Sequence, residues 1–180
     1  MRMYFIAILL PGELNKKVLK WKNFMHEKFG CKVGLKSPAH ITLIPPFWMP
    51  EEKEQELKAN IDLISLSVQP FIIALNNFSA FKPRTIYVDV IVNEKLRALK
   101  AAVDKFFLKA DYKIKTETRP FTPHVTIATR DLHKKDFHEA WRLFETKKIK
   151  AEWEANGMSL LRHNSKDWDV VYTSVFYDLQ

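Results

Sequence analysis

The sequence predicts a mixed α and β protein made of two related lobes. Stretches with the two-residue alternation of β-strands take turns with stretches whose apolar residues recur every three or four positions, as in amphipathic helices. A His-x-Thr-aliphatic segment occurs twice, at His40 and His124, and each copy follows a strand and a helix. No Gly/Ser-rich linker divides the 180 residues, so we expect both lobes to pack within one domain.

Each element follows from a local pattern in the sequence. The apolar run at residues 4–10 predicts a first strand. Apolar residues at helical spacing, among them Val18 and Met25, predict the first helix, and acidic residues after Pro50 suit the start of the second. By the same criteria we expect strands at 4–10, 40–43, 71–81, 85–92, 124–128, 149–161 and 170–179, and helices at 13–29, 50–66, 95–108 and 134–145.

Composition limits the class of protein. Four glycines, nine prolines and 47% hydrophobic residues indicate a chain with a packed core. The net charge of +8 favours an anionic partner such as a nucleotide or RNA, although ordinary solubility charge explains it equally well. Cys31 is the single cysteine, which excludes an internal disulfide and a cysteine-based zinc cluster and suits the reducing cytoplasm.

The N-terminal apolar run does not resemble a targeting or membrane segment. It spans only residues 4–10, whereas a membrane helix needs about 20 apolar residues. No small-residue cleavage site follows it, as a signal peptide would require. We therefore expect a cytoplasmic protein without a membrane segment, and nothing in the sequence calls for an obligate protein partner.

Similar segments recur about 80 residues apart. Tyr4 and Tyr87 are 83 residues apart, His40 and His124 are 84 apart, and the strands that start at 71 and 151 are 80 apart. The same order of offsets predicts a duplication, with units of about 1–82 and 83–180 related by a pseudo-two-fold axis. The alternative is that any chain that alternates strands and helices shows such offsets.

The two His-x-Thr segments carry the chemistry. Because successive strand residues point to opposite faces, His40 and Thr42 share one face, and His124 and Thr126 share one face of the second strand. A neutral imidazole can take a proton from water and a protonated one can give a proton to a leaving oxygen. Displacement at phosphorus needs both, together with donors for the non-bridging oxygens, which threonine hydroxyls supply. This chemistry requires neither a metal ion nor another cofactor.

This pair of motifs resembles those of the two-histidine (2H) phosphoesterase superfamily, and within it the RNA 2′,3′-cyclic phosphodiesterase and 2′-5′ RNA ligase-like branch. The resemblance implies an α+β, bilobal fold in which two antiparallel-rich sheets, flanked by helices, enclose a central cleft. It implies an enzyme whose catalytic residues are His40, Thr42, His124 and Thr126. For hydrolysis we expect His124 to activate water and His40 to protonate the leaving oxygen.

The implied substrate is RNA that ends in a 2′,3′-cyclic phosphate or a small cyclic nucleotide, and the reaction is hydrolysis or reversible 2′-5′ joining of RNA ends. Two alternatives stay open. The protein binds nucleotides or RNA without turnover, or it is a structural domain in which both histidines are satisfied core residues.

Several residues near the motifs are candidates for substrate binding, each with a simpler role as solvated surface or packing. Basic side chains near the motifs or in turns can contact phosphate, and an aromatic ring after the first motif can stack on a base. The candidates are Arg130, Arg119, Lys36, Arg84 and Phe47, with Trp48 beside the last.

Overall fold

The computed structural model describes residues 1–110, 112, 114 and 119–177. Its strands are β1 (Arg2–Leu9), β2 (His40–Met49), β3 (Phe71–Phe81), β4 (Thr85–Ile91), β5 (His124–Ala128), β6 (Lys150–Ala155), β7 (Gly157–His163) and β8 (Trp168–Val175). Its helices are α1 (Gly12–Phe29), α2 (Glu54–Ser65), α3 (Glu94–Lys109) and α4 (Phe137–Arg142), with short 3-10 helices at Val33–Lys36 and Glu51–Lys53.

Within the described ranges the strands form two four-stranded antiparallel sheets. The first has the order β2-β1-β7-β8 and the second has the order β5-β4-β3-β6. Helix α1 packs against β5, α2 against β7 and β8, and α3 against β2. This arrangement confirms the expected α+β fold with two antiparallel sheets.

The two sheets have matching registers around the motif strands. In the first sheet Thr42 lies opposite Ala7, whose other neighbour is Ser159 of β7. In the second sheet Thr126 lies opposite Tyr87, whose other neighbour is Ser79 of β3. By register, Tyr87 therefore corresponds to Ala7 rather than to Tyr4, the residue with which the sequence offsets pair it.

Strand β2 is longer than the predicted segment at 40–43. It continues to Met49 and pairs with β1 as far as Arg2, through Pro45 and Pro46. Proline cannot donate a hydrogen bond to a neighbouring strand, and it is tolerated here because β2 is the outermost strand of its sheet. The register between the two strands shifts beside these prolines, between Tyr4 and Ile6.

The strand predicted at 149–161 is two strands in different sheets. The chain leaves β6 in the second sheet, passes Asn156, and enters β7 in the first sheet. The Asn156 carbonyl accepts a hydrogen bond from the backbone N–H of Phe176 at 2.8 Å. The helix predicted at 134–145 is also shorter, because α4 spans only Phe137–Arg142.

One hydrophobic core joins the motif strands of both sheets. Ile41 and Leu43 of β2 and Val125 and Ile127 of β5 are buried in the same cluster. These side chains alternate with the motif residues, so their burial fixes the face on which His40, Thr42, His124 and Thr126 lie. Within the described part of the chain, no helix combines the length and apolar character needed to cross a membrane.

Candidate active site

The two motif strands meet where the sheets adjoin. β2 and β5 are each the outermost strand of a sheet, and they contact each other. His40, Thr42, His124 and Thr126 are half-buried, whereas the residues between them are buried. The structure therefore holds the two His-x-Thr pairs on neighbouring strands, where the edges of the two sheets meet.

Both imidazole rings are held by the same local hydrogen bond. His40 Nδ1 lies 2.8 Å from the carbonyl oxygen of Pro38, and His124 Nδ1 lies 2.7 Å from that of Thr122. A carbonyl only accepts, so Nδ1 carries the proton in both rings. In the neutral form Nε2 is then the unprotonated nitrogen, and it is available to take a proton.

Aromatic side chains pack beside each imidazole. The Phe5 ring centroid lies 4.8 Å from that of His40. Tyr87 and Phe81 lie against His124, each at 5.0 Å between centroids. These contacts restrict the orientation of each ring, so the position of its Nε2 atom is set before any ligand arrives.

A cavity of about 220 Å³ lies beside the first motif and reaches the second. Its polar wall includes His40, Thr42, Thr126, Thr129 and Arg130. His124 does not belong to the wall of this cavity, but it precedes Thr126 by two residues on the same strand face. The apolar part of the wall is formed by Phe5, Val33, Pro46 and Trp168.

Both imidazoles have lowered pKa values. Burial is the main cause at His40, with the positive charges of Lys22 and His124 acting in the same direction, and the pKa falls to about 4 despite the Pro38 carbonyl. Burial also lowers the pKa of His124, against the Thr122 carbonyl and the carboxylate of Asp89.

Nearby charges act in opposite directions on the pKa values of the two rings. The positive charge of a protonated His124 is one of the causes that lower the pKa of His40. Asp89 lies opposite His124 in the β4–β5 register, and its negative charge favours the imidazolium form of that ring. Charge thus adds to the lowering of the pKa at His40 and opposes the lowering at His124.

A buried lysine that sequence reasoning missed forms part of the same cavity. Lys22 of α1 is only 3% exposed, and its Nζ donates a hydrogen bond to the Ser37 carbonyl at 3.0 Å. The available signal was its helical position, because Lys22 follows Val18 by four residues and precedes Met25 by three, on the buried stripe. Burial lowers the pKa of Lys22 to about 8.

Among the predicted binding residues, Arg130 lies on the cavity wall and is exposed to solvent. Lys36 ends the 3-10 helix at Val33–Lys36, and Arg84 lies exposed in the turn between β3 and β4. Arg119 lies exposed ahead of β5. These last three side chains do not belong to the wall of this cavity.

The prediction that Phe47 stacks on a base is wrong. Phe47 is 5% exposed, and its ring packs among those of Tyr4, Phe107 and Tyr112, each with a centroid distance of 6.3 Å. It lies on β2 rather than in a loop, so alternation turns it inward and turns Trp48, at 58% exposed, outward. The half-buried aromatic residue on the cavity wall is Trp168.

A sequence model of the 2′-5′ RNA ligase superfamily matches residues 10–167, which include both His-x-Thr pairs and every strand and helix given above except β1 and β8. The chain belongs to the 2′-5′ RNA ligase superfamily. Membership confirms the resemblance to the 2H phosphoesterases and supports an enzyme of the phosphoesterase and RNA ligase type.

Relatives and solved structures agree with this membership. A protein of Oceanobacillus iheyensis named "Putative phosphoesterase OB1230" is 27% identical over 164 residues, covering 89% of this chain and 92% of its own. The fold is similar to TT0787 of Thermus thermophilus, with a TM-score of 0.72, 20% identity and full coverage of both chains. It is also similar to E. coli LigT in complex with 3′-AMP, with a TM-score of 0.68, 16% identity, and 98% and 99% coverage.

Proposed function

We propose that this superfamily member is a phosphoesterase that hydrolyses 2′,3′-cyclic phosphates, on RNA ends or on small nucleotides, by general acid and base catalysis without a metal ion. The observation that supports it best is the pair of imidazoles on adjoining strands, each with Nδ1 tied to a carbonyl and Nε2 available. In the described part of the chain, no group of three or more His, Cys, Asp or Glu side chains is placed to hold a metal.

In the proposed reaction, water adds to phosphorus and one imidazole takes its proton. The bond from phosphorus to one ribose oxygen breaks, and the other imidazole, as imidazolium, protonates that oxygen. The Thr42 and Thr126 hydroxyls donate to the non-bridging oxygens, whose negative charge increases in the transition state. The products are a phosphomonoester and a free ribose hydroxyl. If the 5′-hydroxyl of a second RNA replaces water, it gives up its proton to the base, bonds to phosphorus as the bond to the ribose 3′-oxygen breaks and that oxygen is protonated, and a 2′-5′ phosphodiester joins the two RNA ends.

The charges around the rings favour roles opposite to those expected from sequence. Burial and the positive charges of Lys22 and His124 lower the pKa of His40 to about 4, so it is neutral at physiological pH and suited to act as the base. Burial lowers the pKa of His124 as well, but the carboxylate of Asp89 opposite it favours the imidazolium form, which suits His124 to act as the acid. We therefore assign the base to His40 and the acid to His124.

The walls of the cavity support this substrate class. Arg130 supplies a positive charge for phosphate, and Trp168 supplies an apolar ring for a nucleobase. LigT was solved with a mononucleotide, 3′-AMP, which is consistent with a ligand of this size.

A free and buried Cys31 suits the reducing cytoplasm, where we place the reaction.

The test is incubation of the purified protein with 2′,3′-cyclic nucleotides, and with RNA that carries a cyclic phosphate end, in the presence of EDTA. We expect turnover by the natural sequence and a loss of at least about 10²-fold in kcat/KM in His40→Ala and in His124→Ala, as for removal of a general acid or base. His138→Ala is the matched control, because His138 lies exposed on α4.

Full activity in either motif variant would reject the two-imidazole mechanism. Saturable binding of nucleotides without turnover of any cyclic phosphate would instead identify a non-catalytic binding protein.

A further inference from the structure

The buried lysine of α1 has a place in the cavity that the two motifs do not explain. Lys22 lies on the wall that also contains His40, Thr42 and Thr126. Its charge reaches the first motif, because it lowers the pKa of His40. The lysine is therefore close enough to a ligand at this wall to affect it electrostatically.

The environment of Lys22 leaves its charge poorly compensated. An ammonium group has three N–H donors, and one of them reaches the Ser37 carbonyl. Among the residues that the structure describes, no carboxylate lies within 4.0 Å of Lys22 Nζ. A buried charge without a counter-ion is costly, so such a site favours an anion.

We propose that the Lys22 ammonium binds the non-bridging oxygens of the phosphoryl group in this cavity, which makes Lys22 a substrate-contacting residue beside the two His-x-Thr pairs. The inference rests on the proposed function, because it takes the ligand of the cavity to be a phosphate ester. A fixed and desolvated cation stabilises the charge that develops on those oxygens more than a mobile surface lysine does.

The position of Lys22 also restricts which part of the cavity its ammonium group can reach. It projects from the middle of an 18-residue helix, and the Ser37 carbonyl restrains its Nζ atom. A helix positions a side chain more accurately than a loop, as a group that must meet a transition state requires. The competing role is a tether, in which Lys22 only holds the segment before β2 through Ser37.

Two substitutions distinguish the charge from the tether. Lys22→Met removes both the charge and the hydrogen bond to Ser37 while keeping the apolar stem. Lys22→Gln removes the charge but retains an N–H donor for the Ser37 carbonyl. Lys20→Met is the matched control, because Lys20 is an exposed lysine on the same helix.

The experiment measures the dissociation constant of inorganic phosphate by calorimetry at pH 7, and kcat/KM for a 2′,3′-cyclic nucleotide. We expect both Lys22 variants to bind phosphate at least about tenfold more weakly and to lose at least about tenfold in kcat/KM, as for loss of a charge-assisted hydrogen bond. Lys20→Met should match the natural sequence in both measurements.

The outcomes separate this inference from the proposed function. Phosphate binding that depends on Lys22 in a protein that hydrolyses no cyclic phosphate would uphold the inference and reject the function. Normal phosphate binding in Lys22→Met, or in Lys22→Gln alone, would overturn the inference while leaving the function intact. Thermal unfolding of each variant shows whether it is folded, and Lys22→Gln decides the matter if Lys22→Met does not fold.

Discussion

At the scale of single residues, two backbone carbonyls determine which nitrogen of each imidazole remains available to exchange a proton. Pro38 and Thr122 each precede a motif histidine by two residues and accept a hydrogen bond from its Nδ1. The bond fixes the tautomer and the direction of Nε2 without using another side chain. Because the carbonyl belongs to the backbone just before the strand, the segment that leads into each motif strand fixes the imidazole.

The order of the two histidine titrations tests the assigned roles. Because Lys22 and His124 both place positive charge near His40, while Asp89 faces His124, we expect His124 to take up its proton at higher pH than His40. Proton NMR of the imidazole signals, assigned with His40→Gln and His124→Gln, measures both values in the ligand-free protein. A higher pKa for His40 would reverse the assignment of base and acid.

Residue-scale prediction succeeded where the controlling effect is local. The alternation of β2 and β5 determines the common face of His40 with Thr42 and of His124 with Thr126, and that alternation is visible in the sequence. The burial of Phe47 depends instead on rings of α3 and of Tyr112, more than 50 residues away along the chain. The burial of Lys22 likewise depends on where α1 lies relative to the cavity.

At the scale of elements, the short 3-10 helix Val33–Lys36 connects the two motif strands. The Oδ2 atom of Asp131, just after β5, accepts hydrogen bonds from the backbone N–H groups of Lys32 and of Val33, the latter at 2.7 Å. Gly34 lies so close to β5 that a Cβ atom there would be 2.7 Å from the carbonyl oxygen of Ile127. The 3-10 helix thus holds the segment that leads into β2 against the strand that carries the second motif.

Substitution of Gly34 tests this contact. We expect Gly34→Ala to lower the free energy of unfolding by about 1 to 3 kcal/mol, the usual cost of overpacking, because the opposing atom is backbone and cannot rotate away. Gly12→Ala is the control, since a Cβ at Gly12 meets nothing within 4 Å, and its effect should be within about 0.5 kcal/mol. Denaturant unfolding measures both, and equal stability of the two variants would contradict the close approach.

Element boundaries were predicted well where a turn with proline marks them in the sequence. They were predicted poorly where strand pairing within a sheet determines them. The strands flanking the turn at Lys82-Pro83 match the prediction closely, at Phe71–Phe81 and Thr85–Ile91. The continuation of β2 through Pro45 and Pro46 depends on its outermost position in the sheet. β6 and β7 are separate strands on either side of Asn156 because they pair with strands of different sheets. No local sequence pattern indicates that pairing.

At the scale of the whole molecule, we propose one domain of two intertwined units, about 1–82 and 83–180, related by duplication. The equivalent positions Ala7 and Tyr87 lie 80 residues apart, as do Ser79 and Ser159. β3 of the first unit pairs with β4 of the second, and β7 of the second unit pairs with β1 of the first. Such an exchange of strands supports two units that fold together.

The positive charge of the molecule predicts how substrates of different length respond to salt. The chain has a net charge of +8, and Lys36, Arg84 and Arg119 lie outside the cavity wall. We expect kcat/KM for an RNA with a cyclic phosphate end to fall more steeply between about 50 and 200 mM salt than that for a cyclic mononucleotide, because longer RNA displaces more counterions. Equal slopes would indicate that only the terminal nucleotide is recognised.

The central claim is that His40 and His124 act on one phosphoryl group. A crystal structure of the protein with bound inorganic phosphate tests it most directly. We expect a single phosphate with oxygens within hydrogen-bond distance, at most about 3.2 Å, of both Nε2 atoms and of the Thr42 and Thr126 hydroxyls. A phosphate that reaches only one imidazole, with the second Nε2 directed into a separate space, would contradict the claim.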